Sequence, residues 1–474
     1  VLIMDWKRAV FALIVVLTMA GTVWFTYHFA SQESLNDYIG DEVWYVPASR
    51  NVLHRLGVQV AYEHNGTYGV NVIFANESSK IKYLSTADAV ATFSGVKFRL
   101  QYHNFPGVYY EIPADKYEDF LERLSGRLPG GSYYVVPGFR YPDKEDIQNY
   151  LNTEHPFLGK DIIMLGMVLL GDRPISWRLP GIIEFALIEL LVVLAAYRIS
   201  KSYLASLIAL VFVAADPTLQ ATAVTAMLDI HVAFFVALFV FALAYGSNLG
   251  SSVALGLVGA TKLSGAFGWP VLLIKALKEE NSFVRFFSTV VIVPGIAFLL
   301  PELPIIMAIG FVPWVREFLG SFQWHLSYKG SNPHTSPFWE WFINYRPFPF
   351  HFDPNVFAET NPVLLISMVV LILAVPWLYK RKPGILAPFM VFWSTIGFFA
   401  LQYVLGGKTQ FSFYATVLVP PASVVMGVAL NELLRREAFK SSLTFYWEKM
   451  RGLKEWALEK AVRRKANPSE SPQD

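Results

Sequence analysis

Apolar and polar positions divide the chain sharply. Residues 9–30 form a hydrophobic run long enough to cross a bilayer, for which about 20 apolar residues suffice. From about residue 43 to 153 the apolar runs stop, and the pattern predicts a small water-soluble α/β unit. Residues 57–62 and 68–74 alternate like strands around Asn65-Gly66, a hairpin signal because both residues tolerate positive φ. Residues 96–102 and 108–112 predict two more strands about Phe105-Pro106-Gly107. Residues 115–125 have helical spacing, with Tyr117, Phe120, Leu121 and Leu124 on one face.

After this unit the apolar pattern returns. A run ending at Gly171 is too short to span and is expected to lie in the interface. Spans are predicted at about 178–197, 203–214, 230–246, 284–300, 362–378, 384–405 and 411–431. Residues 251–278 are expected to form two short helices turning near Thr261–Gly265. With the first run this makes about ten transmembrane helices. Lys7, Arg8, Arg198, Lys201 and Tyr379-Lys380-Arg381-Lys382 orient them by the positive-inside rule, with both ends in the cytoplasm and the 43–153 unit outside. Asp216-Pro217 through Asp229 reads as an external turn, and 322–353 as an aromatic loop at headgroup level. The first run lacks a small-residue cleavage site and is expected to be a retained anchor. Two sequons, at Asn65 and Asn76, fall in the external unit. The expected organisation is 1–42, first span and acids; 43–153, external unit; 154–435, membrane region; 436–474, basic cytoplasmic tail held at the membrane surface.

Composition agrees with this pattern. Of 474 residues, 54% are hydrophobic and only 16% charged, which excludes an ordinary soluble protein and makes the lipid bilayer the first expected partner. The net charge of +2 gives no reason to expect a nucleic-acid partner. The lack of cysteine excludes disulfides, thiolate metal sites and thiol nucleophiles. Histidines are scattered, so no metal site and no cofactor are expected; Asp41 and Asp229 are the acids considered for sharing a divalent ion.

The candidate chemistry lies on the predicted external side. Asp41 and Glu42 follow the first span directly, and Glu154, His155, Arg178, Asp229, Lys262, His334 and Lys408 fall on the same side. Glu184 and Glu189, in a single span, are the positions that a transporter would use.

The ordered set Asp41-Glu42, Glu154-His155-Pro156-Phe157-Leu158-Gly159-Lys160, Trp177-Arg178-Leu179-Pro180-Gly181, Met227-Leu228-Asp229, Thr261–Gly265, His334–Trp341 and Lys408–Tyr414 resembles the landmarks of the protein O-mannosyltransferase family. The resemblance covers residues 1–45 and 150–435. It implies a polytopic α-helical membrane protein of GT-C fold, with the small α/β unit as an insert in the first loop. The implied activity is transfer of a sugar, typically mannose, from a dolichyl-phosphate carrier to Ser or Thr hydroxyls of an acceptor protein on the external face, without a metal. The chain departs from the family in its Pro156-Phe157, where two prolines are usual, in the long 43–153 insert, and in lacking a β-trefoil module.

Attack of a hydroxyl on an anomeric carbon needs a base, and Asp41 is the candidate, with Glu42 beside it to raise its basicity or bind sugar hydroxyls. The departing phosphate needs fixed cations. Arg178 is the first candidate, with membrane anchoring as its other reading; Lys262 and Lys408 are weaker candidates that read first as anchors. Glu154, His155, Asp229, His334 and Trp341 are candidates for holding sugar or acceptor; helix capping explains Glu154 and Asp229 comparably, and interfacial anchoring explains Trp341.

Overall fold

The computed structural model describes residues 6–327 and 332–466. Helix α1 (Trp6–Ala30) presents Leu13, Val16, Leu17, Trp24 and Phe25 outward, as a lipid-facing span should. It is tied to the bundle by Thr22, whose hydroxyl donates to Glu189 at 2.6 Å.

Helix α2 (Glu42–Arg55) follows at once. The alternation-based reading leaves 43–56 without an element; in the structure it is a helix buried on several sides, lying between the α/β unit and the membrane helices. The unit itself runs β1 (Tyr62–His64), β2 (Thr67–Phe74), α3 (Glu77–Phe93), β3 (Phe98–Gln101), β4 (Gly107–Pro113), α4 (Tyr117–Arg127) and β5 (Tyr133–Pro137). Asn65 and Gly66 take φ of 48° and 75° at the β1–β2 turn, which Asn tolerates and Gly, lacking Cβ, adopts freely. Pairing is antiparallel throughout, in the order β3-β4-β2-β5, with β1 on the start of β2. From β2 onward this is the split βαββαβ topology of ferredoxin-like units. α3 and α4 cover one face through Val72, Phe74, Val90, Tyr110 and Phe120. Helix α3, absent from the sequence reading, begins at Asn76, whose side chain accepts the Ser79 N–H at 2.8 Å.

The unit is docked on α2. Arg50 forks onto Asp172 at 2.5 and 3.1 Å, and Asp172 also accepts Trp177 Nε1 (2.8 Å) and the Phe139 N–H (3.1 Å). Asn51 donates to the Ile147 and Tyr150 carbonyls and accepts from Tyr141.

The membrane region continues with α5 (Leu158–Leu170), α6 (Pro174–Ser200), α7 (Tyr203–Ala214), α8 (Pro217–Ala223), α9 (Leu228–Ala244), α10 (Asn248–Thr261) and α11 (Trp269–Glu279). A run over Phe283–Ile309 contains α12 (Phe283–Phe287), α13 (Val293–Leu299) and α14 (Leu303–Ile309), with a π turn at Ser288–Ile292. Then come α15 (Phe311–Ser327), the hairpin β6 (Phe348–Phe352) and β7 (Asn355–Ala358), α16 (Pro362–Arg381), α17 (Leu386–Val404), α18 (Val419–Leu433) and α19 (Ala438–Ala466).

This is a polytopic helical membrane protein. Among the described residues, six helices are long and apolar enough to cross a bilayer, or seven if α7 and α8, bent by 58°, form one broken span. The other three of the ten expected spans are α9, α10 and α11, none longer than 17 residues. The α10–α11 turn is present as expected: the Lys275 ammonium near the end of α11 bonds the Asn248 side chain that starts α10. Two readings are corrected. Asp216–Asp229 is not an open turn but contains α8, capped by Asp216. The 322–353 segment is not all loop, since α15 extends into it and β6 lies within it; its residues 328–331 are outside the described set.

α6, at 27 residues about 40 Å long, separates two ends of the bundle. One end is basic, where Lys382 donates to the Ser200 carbonyl (2.8 Å) and Arg381 and Arg435 both pair with Glu432 (2.9 Å). The other end carries Asp41 and the α/β unit. Glu184 pairs with His231 at 2.5 Å, and, with the Thr22–Glu189 bond, these acids act as ties between helices; neither lines a cavity described below.

Candidate active site

Asp41 is set by the turn between α1 and α2. Gly40 takes φ +55°, its N–H donates to the Phe350 carbonyl (3.2 Å), and any Cβ there would lie 2.7 Å from the Phe350 ring, so β6 clamps the residue before the acid. Asp41 then occupies the N-cap of α2 without making a side-chain cap bond, while Glu42 begins the helix pointing elsewhere.

The two acids therefore part company. Glu42 is fully buried and chelates Arg178, with Nε to Oε1 and Nη2 to Oε2 both at 2.7 Å. Its oxygens also accept the Ile39 and Ala226 N–H groups. The remaining Arg178 donors go to the carbonyls of Ala30, Leu35 and Asp37. This corrects the sequence reading: Arg178 has no N–H left for a phosphate, and Glu42 has no oxygen left for a sugar. The pair is a buried ionic pin joining α6 to the α1–α2 turn.

Asp41 instead faces a polar cavity of about 700 Å³. Tyr45 donates to it at 3.4 Å. Burial pushes the Asp41 carboxyl up to about 6; Lys262 nearby opposes that rise and Asp229 adds to it. Lys262 leaves the end of α10 and meets Asp229, at the start of α9, at 3.0 and 3.2 Å. Its ammonium lies 4.0 Å from the Tyr414 ring centroid and 5.4 Å from that of Phe413. Asp41, Asp229 and Lys262, from three distant stretches of sequence, thus form one charged cluster.

The opposite wall of the cavity is the 152–155 loop. Lys160, fully buried, donates to the Asn152 carbonyl (2.5 Å), the Asn152 side chain (3.2 Å) and the His155 carbonyl (2.8 Å). Glu154 accepts from Asn152 (2.8 Å) and from the Tyr150 hydroxyl, and both Glu154 and His155 line the cavity. Helix α15 closes this side: Thr153 donates to Glu317 at 3.0 Å, and Glu302 joins the Phe157 N–H to Trp314 Nε1.

A second, mainly apolar cavity of about 500 Å³ adjoins the first. Phe267, Trp269, Phe322, Phe398 and Leu405 line it, Lys262 stands in its wall, and Gln402 and Tyr414 belong to both cavities.

Three further predicted residues stand apart. Trp341 is fully buried, donates to the Ser336 carbonyl (2.8 Å) and packs on Phe399; it is a core residue, not a sugar platform or an interfacial anchor. His334 packs edge-on against Phe348, and Lys408 is exposed with Tyr403 beneath it; neither lines the two cavities, although the neighbouring Thr409 does. Tyr45, Asn152, Gln402 and Tyr414 line the cavities and Lys160 braces their 152–155 loop, although the sequence alone gives none of them a role. Lys160 and Tyr414 lie inside quoted motifs, and Gln402 is a lone amide in an apolar run, which was the available signal. Among the described residues no group of three His, Asp or Glu side chains is arranged to hold a metal ion.

No protein-family model matches the chain. It is 35% identical over 91 residues to the polyprenol-phosphate-mannose–protein mannosyltransferase of Mycolicibacterium smegmatis, covering 19% of this chain and 18% of that one. The Mycobacterium tuberculosis protein of the same name is 37% identical over 92 residues, with the same coverage. The Corynebacterium glutamicum protein of that name is 22% identical over 372 residues, 60% of this chain and 71% of its own. The mycobacterial matches thus span less than a fifth of those relatives' length. Among solved structures, ArnT from Cupriavidus metallidurans bound to undecaprenyl phosphate superposes with a TM-score of 0.46 at 15% identity, over 94% of this chain and 63% of that one. In sequence, this chain is similar to the polyprenol-phosphate-mannose–protein mannosyltransferases of these three organisms.

Proposed function

We propose that the protein transfers a sugar, mannose by its relatives' names, from a polyprenyl (dolichyl-type) phosphate carrier to a Ser or Thr hydroxyl of a protein. The observation that carries this reading is the junction of the two cavities. A carboxylate tuned toward neutrality faces the polar one, and a lysine stands where the apolar one begins. An isoprenoid chain suits the apolar cavity, which puts its phosphate beside Lys262. The sugar then lies toward Asp41, and the acceptor enters past Glu154 and His155.

In this reaction Asp41 takes the proton of the acceptor hydroxyl, whose oxygen forms the new bond to the anomeric carbon. The bond to the phosphate oxygen breaks, its electron pair leaves with the phosphate, and the configuration inverts. Lys262, oriented by Asp229, offsets the developing charge, a task the sequence reading gave first to Arg178. The basic opposite end of the bundle supports a cytoplasmic placement for that end and an external active site.

The test is Asp41→Asn in membranes supplied with labelled polyprenyl-phosphate mannose and a Ser/Thr acceptor peptide. Transfer is expected to fall by about 100-fold or more, the usual scale for a general base, with donor binding retained. Undiminished transfer would reject Asp41 as the base. Transfer to lipid but not peptide would reject the protein acceptor.

A further inference from the structure

The two cavities meet at a wall made by Tyr414 and Gln402. Tyr414 has an evident task, since its ring lies under the Lys262 ammonium. Gln402 has none among the described residues. It sits in the last turn of α17 between apolar neighbours such as Phe398 and Leu405, and its Oε1 is buried without a hydrogen-bond partner among the described residues. The contrast with Gln410 is instructive: that amide accepts the Phe338 N–H at 3.0 Å and donates to the Phe399 carbonyl at 2.8 Å. Buried polar atoms in proteins almost always have partners, and an amide oxygen without one on a cavity wall is explained most directly by a ligand that supplies it.

This inference rests on the reading above, which puts the carrier phosphate beside Lys262 and the acceptor beside Asp41. The transferred sugar then lies against the wall common to both cavities. We infer that Gln402 is a specificity-determining residue that hydrogen-bonds one hydroxyl of the transferred sugar. The amide can donate or accept, and a sugar hydroxyl can do either, so the pairing holds in both orientations of the Gln side chain. A site that binds a substrate hydroxyl through a buried polar group rejects the analogue lacking it, because the group is then left without its partner.

The experiment uses the full chain, polyprenyl-phosphate mannose, and a set of donors each lacking one sugar hydroxyl. Gln402→Met removes the amide at nearly constant volume. With the complete sugar, kcat/KM is expected to fall by roughly 10-fold or more. With one of the deoxy donors the parent should show a similar fall, and parent and variant should become equal. The melting temperature should stay unchanged or rise, because the variant loses a buried amide oxygen that has no partner among the described residues. An equal penalty for every donor, no penalty at all, or a lowered melting temperature as the sole effect would overturn the inference. Failure of the unsubstituted protein to transfer any sugar would overturn the functional reading itself, and this inference with it; that outcome is seen before any substitution is made.

Discussion

Asp41 and Glu42 are neighbours with opposite fates, and the difference is one of solvation and partners. Glu42 is matched by a guanidinium and two backbone N–H groups, so it is held as a structural element. Asp41 has one phenolic donor at 3.4 Å and a partly opposing lysine, so burial dominates and its carboxyl is pushed up to about 6. As the proposed base it must be unprotonated, so the transfer rate should rise with pH through about 6 and level off above it. Lys262 holds this value down; Lys262→Gln should therefore move the rise to higher pH as well as weaken donor binding, and a pH–rate profile of the variant checks both. The linkage sign is the reverse for stability. A raised folded-state value means that the contribution of Asp41 is fully present below the ordinary carboxylate range and is lost as pH rises through about 6. Asp41→Asn should accordingly be inactive yet no less stable than the parent at pH 7, measured by thermal unfolding.

At the scale of elements, the stretch from Glu154 to Lys160 shows how a motif works. Its histidine and glutamate were visible candidates, but its last residue shapes them: Lys160 reaches back from the first turn of α5 and gathers the Asn152 and His155 carbonyls into a tight loop. Lys160→Met should let this loop relax. Because small misplacements at a reacting centre cost up to about 100-fold, kcat/KM for the acceptor peptide should fall at least 10-fold while donor affinity changes little. Titrating each substrate separately checks that split. Helix α2 makes the same point. Residues 43–56 escaped a reading tuned to alternation because the helix is buried on several faces and shows no clean apolar stripe, its neighbours being the α/β unit on one side and α5 on another.

For the whole molecule, the buried pair Arg50–Asp172 decides how the α/β unit sits. It joins α2, the loop at Phe139 and the start of α6, so the unit is docked through charge and hydrogen bonds. Arg50→Ala leaves Asp172 buried without its cation, a loss of about 3–5 kcal/mol for a broken buried pair. Limited proteolysis should then release the unit near Gly57 or in the 142–150 segment, while the parent resists. With the unit undocked, the Tyr150–Glu154 side of the polar cavity loses its support, so acceptor transfer should fall with it.

The alternation of apolar and polar residues, by itself, determined a polytopic membrane protein, most of its spans and the hairpin at Asn65-Gly66. Those features depend on local composition and on periods of 2 and 3.6 residues, which a chain carries openly. Only the tertiary structure decided which cation serves which acid. Arg178 and Lys262 look alike in sequence, each a basic residue at the end of an apolar run. Folding encloses the first against Glu42, 136 positions away, and leaves the second paired with Asp229 and beside Asp41, because the partner of a buried charge is chosen by the fold and no local pattern records it.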